Sequence, residues 1–158
     1  MAKKYELITE LYERTRQSVT EPQQWQRFLS TVCRNYRLSF DEQLLLFAQR
    51  PDATAVLEIE KWNRQFGRWV NRGATGIAVF NTDTTSRVRL KYYFDVSDTH
   101  PGRFASRVPI WQMRREYENV VTDALENSFG ELENRLSLAP ALLSAAKNAV
   151  EDNMADYL

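Results

Sequence analysis

The sequence predicts an α+β fold: a small antiparallel sheet of about three strands within 67–95, packed against a helical N-terminal segment and C-terminal helices. Three observations carry this. The stretch 61–98 holds nearly all the strand signals, with Phe66, Trp69, Ile77, Val79, Val88, Leu90, Tyr92 and Phe94 set between glycines and polar turns. Apolar residues before it recur at helical spacing. Helical spacing returns after residue 110, with Trp111, Tyr117, Val120, Val121 and Leu125 and then a longer leucine- and alanine-rich run. At 158 residues the chain is long enough for one domain with a real core, so residues 1–158 are expected as a single domain. Its core covers 20–100 and a helical extension covers 111–158.

In chain order, Tyr5, Ile8, Leu11, Tyr12 and Thr15 predict an amphipathic helix over 3–19. Thr20 is placed to cap a second helix, with Pro22 in its first turn, where a missing N–H does no harm. Over 22–36, Trp25, Phe28, Leu29, Val32, Cys33 and Tyr36 form a core stripe, which makes Cys33 a packing residue. Ser39 and Glu42 make an S-x-x-E capping box for a helix over 39–49, nearly all apolar at 44–48 and ended by Pro51. Gln49 and Arg50 either finish that helix or face a ligand groove. Val56, Leu57, Ile59 and Trp62 fit a short helix or an irregular strand, and 63–66 bends the chain.

The glycines at 67, 73 and 76 with Asn71 predict a hairpin joining a strand over 67–71 to one over 76–81. Residues 81–87, with Asp83, form a second polar turn. The strand over 87–95 alternates: Val88, Leu90, Tyr92 and Phe94 on one face, Arg87, Arg89, Lys91 and Tyr93 on the other. Residues 97–109 read as loop and 111–128 as helix. A last helix over 137–157 turns Leu138, Leu142, Leu143, Ala146, Ala149, Val150 and Met154 inward.

Composition excludes several classes. No stretch has the ~20 apolar residues of a membrane span, and the N-terminus has no apolar core for a secretory signal. Cys33 is alone, so no internal disulfide forms and a cytoplasmic location is expected. His100 is also alone, which removes HExxH and His-rich metal sites. The spacing G-x5-G-x2-G at 67–76 fits neither phosphate-loop pattern. Asp95, Asp98 and His100 spell D-x-x-D-x-H, which fits an acid–base or metal set, but a loop held by Asx turns is the favoured reading. No metal or other cofactor is expected.

Net charge is zero but uneven. Residues 61–115 carry 11 Lys/Arg against 3 Asp/Glu, whereas 116–158 carry 2 against 9. The two segments either neutralise each other or face partners of opposite charge. Cations interleaved with aromatics on a strand suit a single-stranded nucleic acid, with phosphates tracked by Lys and Arg and bases stacked on rings. The candidate binding set is Arg64, Arg68, Trp69, Arg72, Arg87, Arg89, Lys91 and Tyr93. The competing reading is a solvated sheet face with Trp62 and Trp69 in the core.

Several ordered blocks carry a resemblance. They are Trp25–Leu29, Tyr36–Leu46, Ala48–Thr54, Trp62, Gly67–Val70 and Gly73–Phe80. Together they resemble the N-terminal domain of ArdC-type antirestriction proteins. They resemble still more closely the N-terminal region of large helicase/methylase-like proteins of integrative and conjugative elements. The blocks cover about 25–100; residues 111–158 resemble only the mobile-element proteins. The resemblance implies a non-catalytic single-stranded DNA-binding accessory domain in conjugation or antirestriction. Its expected partners are single-stranded DNA and further domains of a larger polypeptide, with no membrane. The separate metalloprotease-like domain of ArdC-type proteins does not carry over, since HExxH is missing here. Helicase and methylase motifs are missing too. Two other functions stay open: a protein-interaction module docking on other domains or on a restriction or defence protein, and a metal-dependent nuclease using Asp95 and Asp98.

Overall fold

The computed structural model describes residues 2–82, 89–110 and 112–154, with the side chains of Ala2 and Met154 left aside. Asp83, Arg87, Val88 and Trp111 lie outside the described residues. The chain forms two compact units, residues 1–111 and 112–158. Helices and antiparallel strands mix as the sequence predicts.

In the first unit, three helices precede the sheet: α1 Ala2–Ser18, α2 Pro22–Arg34 and α3 Phe40–Gln49. The expected capping box closes the start of α3. Ser39 Oγ accepts from the Glu42 N–H at 3.4 Å, and Glu42 Oε2 accepts from the Ser39 N–H at 2.9 Å. The start of α2 differs from expectation. Glu21, not Thr20, holds the cap position and makes no side-chain cap bond; the Thr20 hydroxyl donates back to Gln17 instead. Leu44, Leu45 and Leu46 are fully buried, so α3 is the central helix. The stripe on α2 is shallower than its periodicity implies. Phe28 is buried, while Trp25, Leu29 and Tyr36 stay exposed, and Cys33 is exposed instead of packed.

The chain then makes β1 Val56–Leu57, α4 Ile59–Phe66, β2 Arg68–Val70, β3 Ile77–Asn81, β4 Arg89–Asp95 and β5 Thr99–Pro101. The ambiguous 56–62 segment is thus a two-residue strand followed by a helix, and 63–66 is helix, not a bend. Strands β3 and β4 pair antiparallel as predicted, Ile77 opposite Tyr93 and Asn81 opposite Arg89. The third strand is not the predicted one. The sheet order is β1-β4-β3, and β2 pairs with β5 in a separate two-stranded ribbon. The turn residues at 71–76 therefore link two different sheets, and residues 99–101 are strand where a loop is expected.

Strand β3 is an edge, and α3 covers it with a side chain. Gln49 Nε2 donates to the Ala78 carbonyl at 2.8 Å, and Gln49 Oε1 accepts from the Ala78 N–H at 2.9 Å. The amide satisfies two backbone groups that β4 leaves outward. Gln49 therefore does structural work in place of the ligand-groove role. Gln49→Ala should lower stability by about 2–3 kcal/mol, since two backbone groups at the sheet edge lose their partners. Urea unfolding measures it; a loss below about 0.5 kcal/mol would show that water replaces the amide.

The second unit holds a short 3-10 turn at Arg115–Tyr117, α5 Glu118–Phe129 and α6 Leu138–Met154. Its core is small: Leu132, Ala141 and Ala145, with Leu125 against them. Leu142, Leu143 and Val150 face outward, contrary to the stripe read from the sequence. Arg135 pairs with both Asp123 and Glu126 and ties the connecting loop to α5.

Candidate functional site

The predicted strand-face site divides in the structure. Strand β4 is the middle strand of its sheet, and its C-terminal half is buried on both faces. Tyr93 is 5% exposed and packs with Leu45, Leu46, Ile77 and Val79. Its hydroxyl donates to Glu42 Oε1 at 2.9 Å, and Lys91 Nζ lies 2.7 Å from the same oxygen. Tyr93 and Lys91 are therefore not an exposed phosphate-tracking pair. They lean on α3, where one carboxylate takes up the lysine charge. Burial pushes the Tyr93 phenol up to about 12, reinforced by the Glu42 carboxylate that it donates to. Burial opposes the charges of Lys91 and Glu42 as well. Their mutual bond outweighs it, raising Lys91 and, with the Ser39 and Tyr93 bonds, holding Glu42 below its ordinary value. Arg89 does stay exposed, but at the end of β4 roughly 20 Å from Asp95 along the strand.

Of the hairpin-side members of the set, Arg68 and Trp69 lie on the ribbon, Arg72 lies just past it and Arg64 lies on α4. In β2, Arg68 and Val70 are half-buried and Trp69 points out at 54% exposure. This corrects the core reading for Trp69, whereas Trp62 is fully buried and donates its Nε1–H to the Phe94 carbonyl at 2.8 Å. Opposite Trp69 in register is His100, also exposed, whose Nδ1 lies 2.7 Å from Asn71 Oδ1. Arg68 is held by Thr99: its Nε donates to the hydroxyl at 2.7 Å and its Nη2 to the carbonyl at 3.1 Å. Arg64, on α4, and Arg72, just past β2, are exposed and make no ion pair among the described residues.

Two glycines let the ribbon close on itself. Gly67 ends α4 at φ 60°, a left-handed turn that favours glycine, and a Cβ there would sit 2.9 Å from the Phe104 carbonyl oxygen. Gly102 donates its N–H to the Gly67 carbonyl at 2.9 Å. A Cβ on Gly102 would come within 2.9 Å of Trp69 Nε1, so the indole edge rests on that bare backbone. The chain after β5 is thereby laid along the end of α4, where the Ser106 N–H reaches the Phe66 carbonyl at 3.0 Å.

That course adds residues the sequence reading did not select: Arg103, Phe104 and Arg107. All three are exposed, and Phe104 is 85% exposed with the Arg103 guanidinium 5.4 Å from its ring centre. No periodicity marks them. The pairing of β5 with β2 and the bonds of Gly102 and Ser106 to Gly67 and Phe66 bring this segment to the end of α4, next to the start of β2.

The D-x-x-D-x-H residues go to structure. Asp95 Oδ1 accepts from the N–H groups of Thr54 (2.7 Å) and Ala55 (3.0 Å), and Oδ2 from the N–H and hydroxyl of Ser97 (3.1 and 2.6 Å). Asp98 pairs with Arg50 at 2.9 Å. No group of three or more metal-ligating side chains occurs among the described residues. No helix among them is long and apolar enough to cross a membrane.

Fold and surface together define an α+β unit that displays an aromatic and basic two-stranded ribbon. No protein-family model matches the chain, and no curated protein or solved structure matches it.

Proposed function

We propose that the first unit is a non-catalytic module binding single-stranded DNA along the β2–β5 ribbon, as an accessory domain of a conjugation or antirestriction protein. The observation that carries the reading is Trp69: a large ring more than half open to solvent, with cations on both sides of it in the chain. The Gly102 contact leaves more than half of the indole in water, and an open flat ring in a segment rich in arginine suits unpaired bases and their phosphates. The resemblance to ArdC-type N-terminal domains supports the same ligand. It also supports the conjugative setting.

The interaction-module reading has its own observation. The second unit, residues 112–158, carries 4 Lys/Arg against 9 Asp/Glu and exposes Leu136, Leu143 and Val120, features that suit a protein partner. The nuclease reading is weakened by its own residues. The Asp95 oxygens already hold three N–H groups and a hydroxyl, and Asp98 is tied to Arg50.

Fluorescence anisotropy with single- and double-stranded oligonucleotides of one sequence tests the proposal across a salt series. Tighter binding of the single strand is expected, weakening with salt at a log–log slope of about −0.7 per neutralised phosphate. The double variant Arg64→Ala/Arg72→Ala should make that slope shallower by about 1.4. Equal affinity for both forms, or a slope untouched by the double variant, would overturn the reading.

A further inference from the structure

A groove of about 530 Å³ lies in the first unit between the α2–α3 turn, β1, α4 and β4, and residues 108–110 also line it. It uses α4, the helix that leads into β2, but includes none of Arg64, Arg68, Trp69 or Arg72. Its volume is in the range of small-molecule sites, roughly 300–1,000 Å³. Among the described residues, four cations line it, Arg34, Arg37, Lys61 and Lys91, against one carboxylate, Glu42. Glu42 is taken by Lys91, and Arg34 is held by the carbonyls of Pro51 and Ala53. Arg37 and Lys61 remain at the surface, Lys61 in a solvent-exposed pair with Glu58. The groove therefore favours an anion.

It also favours a ring. Tyr36 lines it at 56% exposure, with the Arg37 guanidinium 5.6 Å from its ring centre. Gln65 lines it too; its exposed side-chain amide makes no hydrogen bond among the described residues, leaving a donor and an acceptor for a base edge. Trp62 and Phe66 supply apolar lining.

We propose that this groove holds one nucleotide of the bound strand, with its base stacked on Tyr36, its edge read by Gln65, and its phosphate met by Arg37 and Lys61. The inference rests on the single-stranded DNA reading and extends it: the ribbon grips without regard to sequence, and the groove gives base preference.

Labelled oligo(dA) and oligo(dT) test it with four variants. Tyr36→Ala should weaken binding of both about five- to hundredfold at an unchanged salt slope, and Tyr36→Trp should restore it. Tyr36 is exposed, so circular dichroism should show an unchanged fold. Gln65→Ala should change the ratio of the two affinities by about fivefold or more. If Trp69→Ala weakens binding while Tyr36→Ala matches wild type, the groove proposal is wrong and the ribbon reading stands. If Tyr36→Ala weakens binding but the ratio ignores Gln65→Ala, the base-edge contact is wrong. If wild type binds neither oligonucleotide, both readings fall together.

Discussion

Asp95→Ala is expected to destabilise the first unit by about 3–5 kcal/mol, because one buried carboxylate ties two other stretches of chain to its own strand. From the end of β4 its oxygens hold the N–H groups of Thr54 and Ala55 ahead of β1 and the Ser97 N–H and hydroxyl in the turn that leads to β5. Removing it leaves those donors without a partner, and hydrogen bonds to a charged acceptor are each worth about 1.5–3 kcal/mol. The register of β1 with β4 should loosen first, since Val56 pairs with Asp95 itself. Asp95→Asn keeps the shape and one acceptor oxygen and should lose less. Thermal and urea unfolding followed by circular dichroism measure both; Asp95→Ala within 1 kcal/mol of wild type would refute this account of the turn.

Glu42→Ala should cost about 3–5 kcal/mol through a different route. It removes the acceptor of the Ser39 cap and of the Tyr93 hydroxyl, and it leaves the mostly buried Lys91 ammonium unpaired. Glu42→Gln retains an acceptor for cap and phenol but not the charge for Lys91, so its loss should be intermediate. The same two carboxylates set the response to acid. Burial works against the charge of each, but hydrogen bonds hold both folded-state pKa values below their ordinary ones. The unfolded chain then binds protons more readily, so their contribution is complete above the ordinary carboxylate range. It declines as pH falls below about 4.5 and is lost once both carboxylates are protonated in the folded state. Unfolding midpoints measured from pH 7 to pH 3 should drop over that window, and the drop should shrink in Asp95→Asn. A midpoint flat through that range would contradict the assignment.

Local chemistry was legible in the sequence wherever one short segment determined it. Ser39 and Glu42 announced their capping box, and the alternating segment announced a strand, present at Arg89–Asp95 among the described residues, that pairs with Ile77–Asn81. The site was less legible because its parts depend on pairings between distant segments. Gly73, Gly76 and Asn71 signal a turn, but nothing local says that the partner of Arg68–Val70 is Thr99–Pro101 instead of Ile77–Asn81. Without that pairing, Arg103 and Phe104 read as loop. Alternation also gives two faces of a strand without saying which is covered. Lys91 looked exposed because it is charged, yet Glu42 on α3 lets it lie against the core with Tyr93. Trp69 is the converse: a residue type that is mostly buried stands open because its neighbours Arg68 and Val70 turn the other way.

The most direct measurement is the affinity of a labelled oligo(dT) for wild type and for Trp69→Ala at one fixed, moderate salt concentration. Trp69 is more than half exposed, so the variant should still fold, which circular dichroism checks. The account predicts that Trp69→Ala binds about five- to hundredfold more weakly, the worth of one stacked base, while Trp69→Phe keeps most of the affinity. Equal affinity of Trp69→Ala and wild type would contradict it and remove the ribbon as the place where a single strand binds.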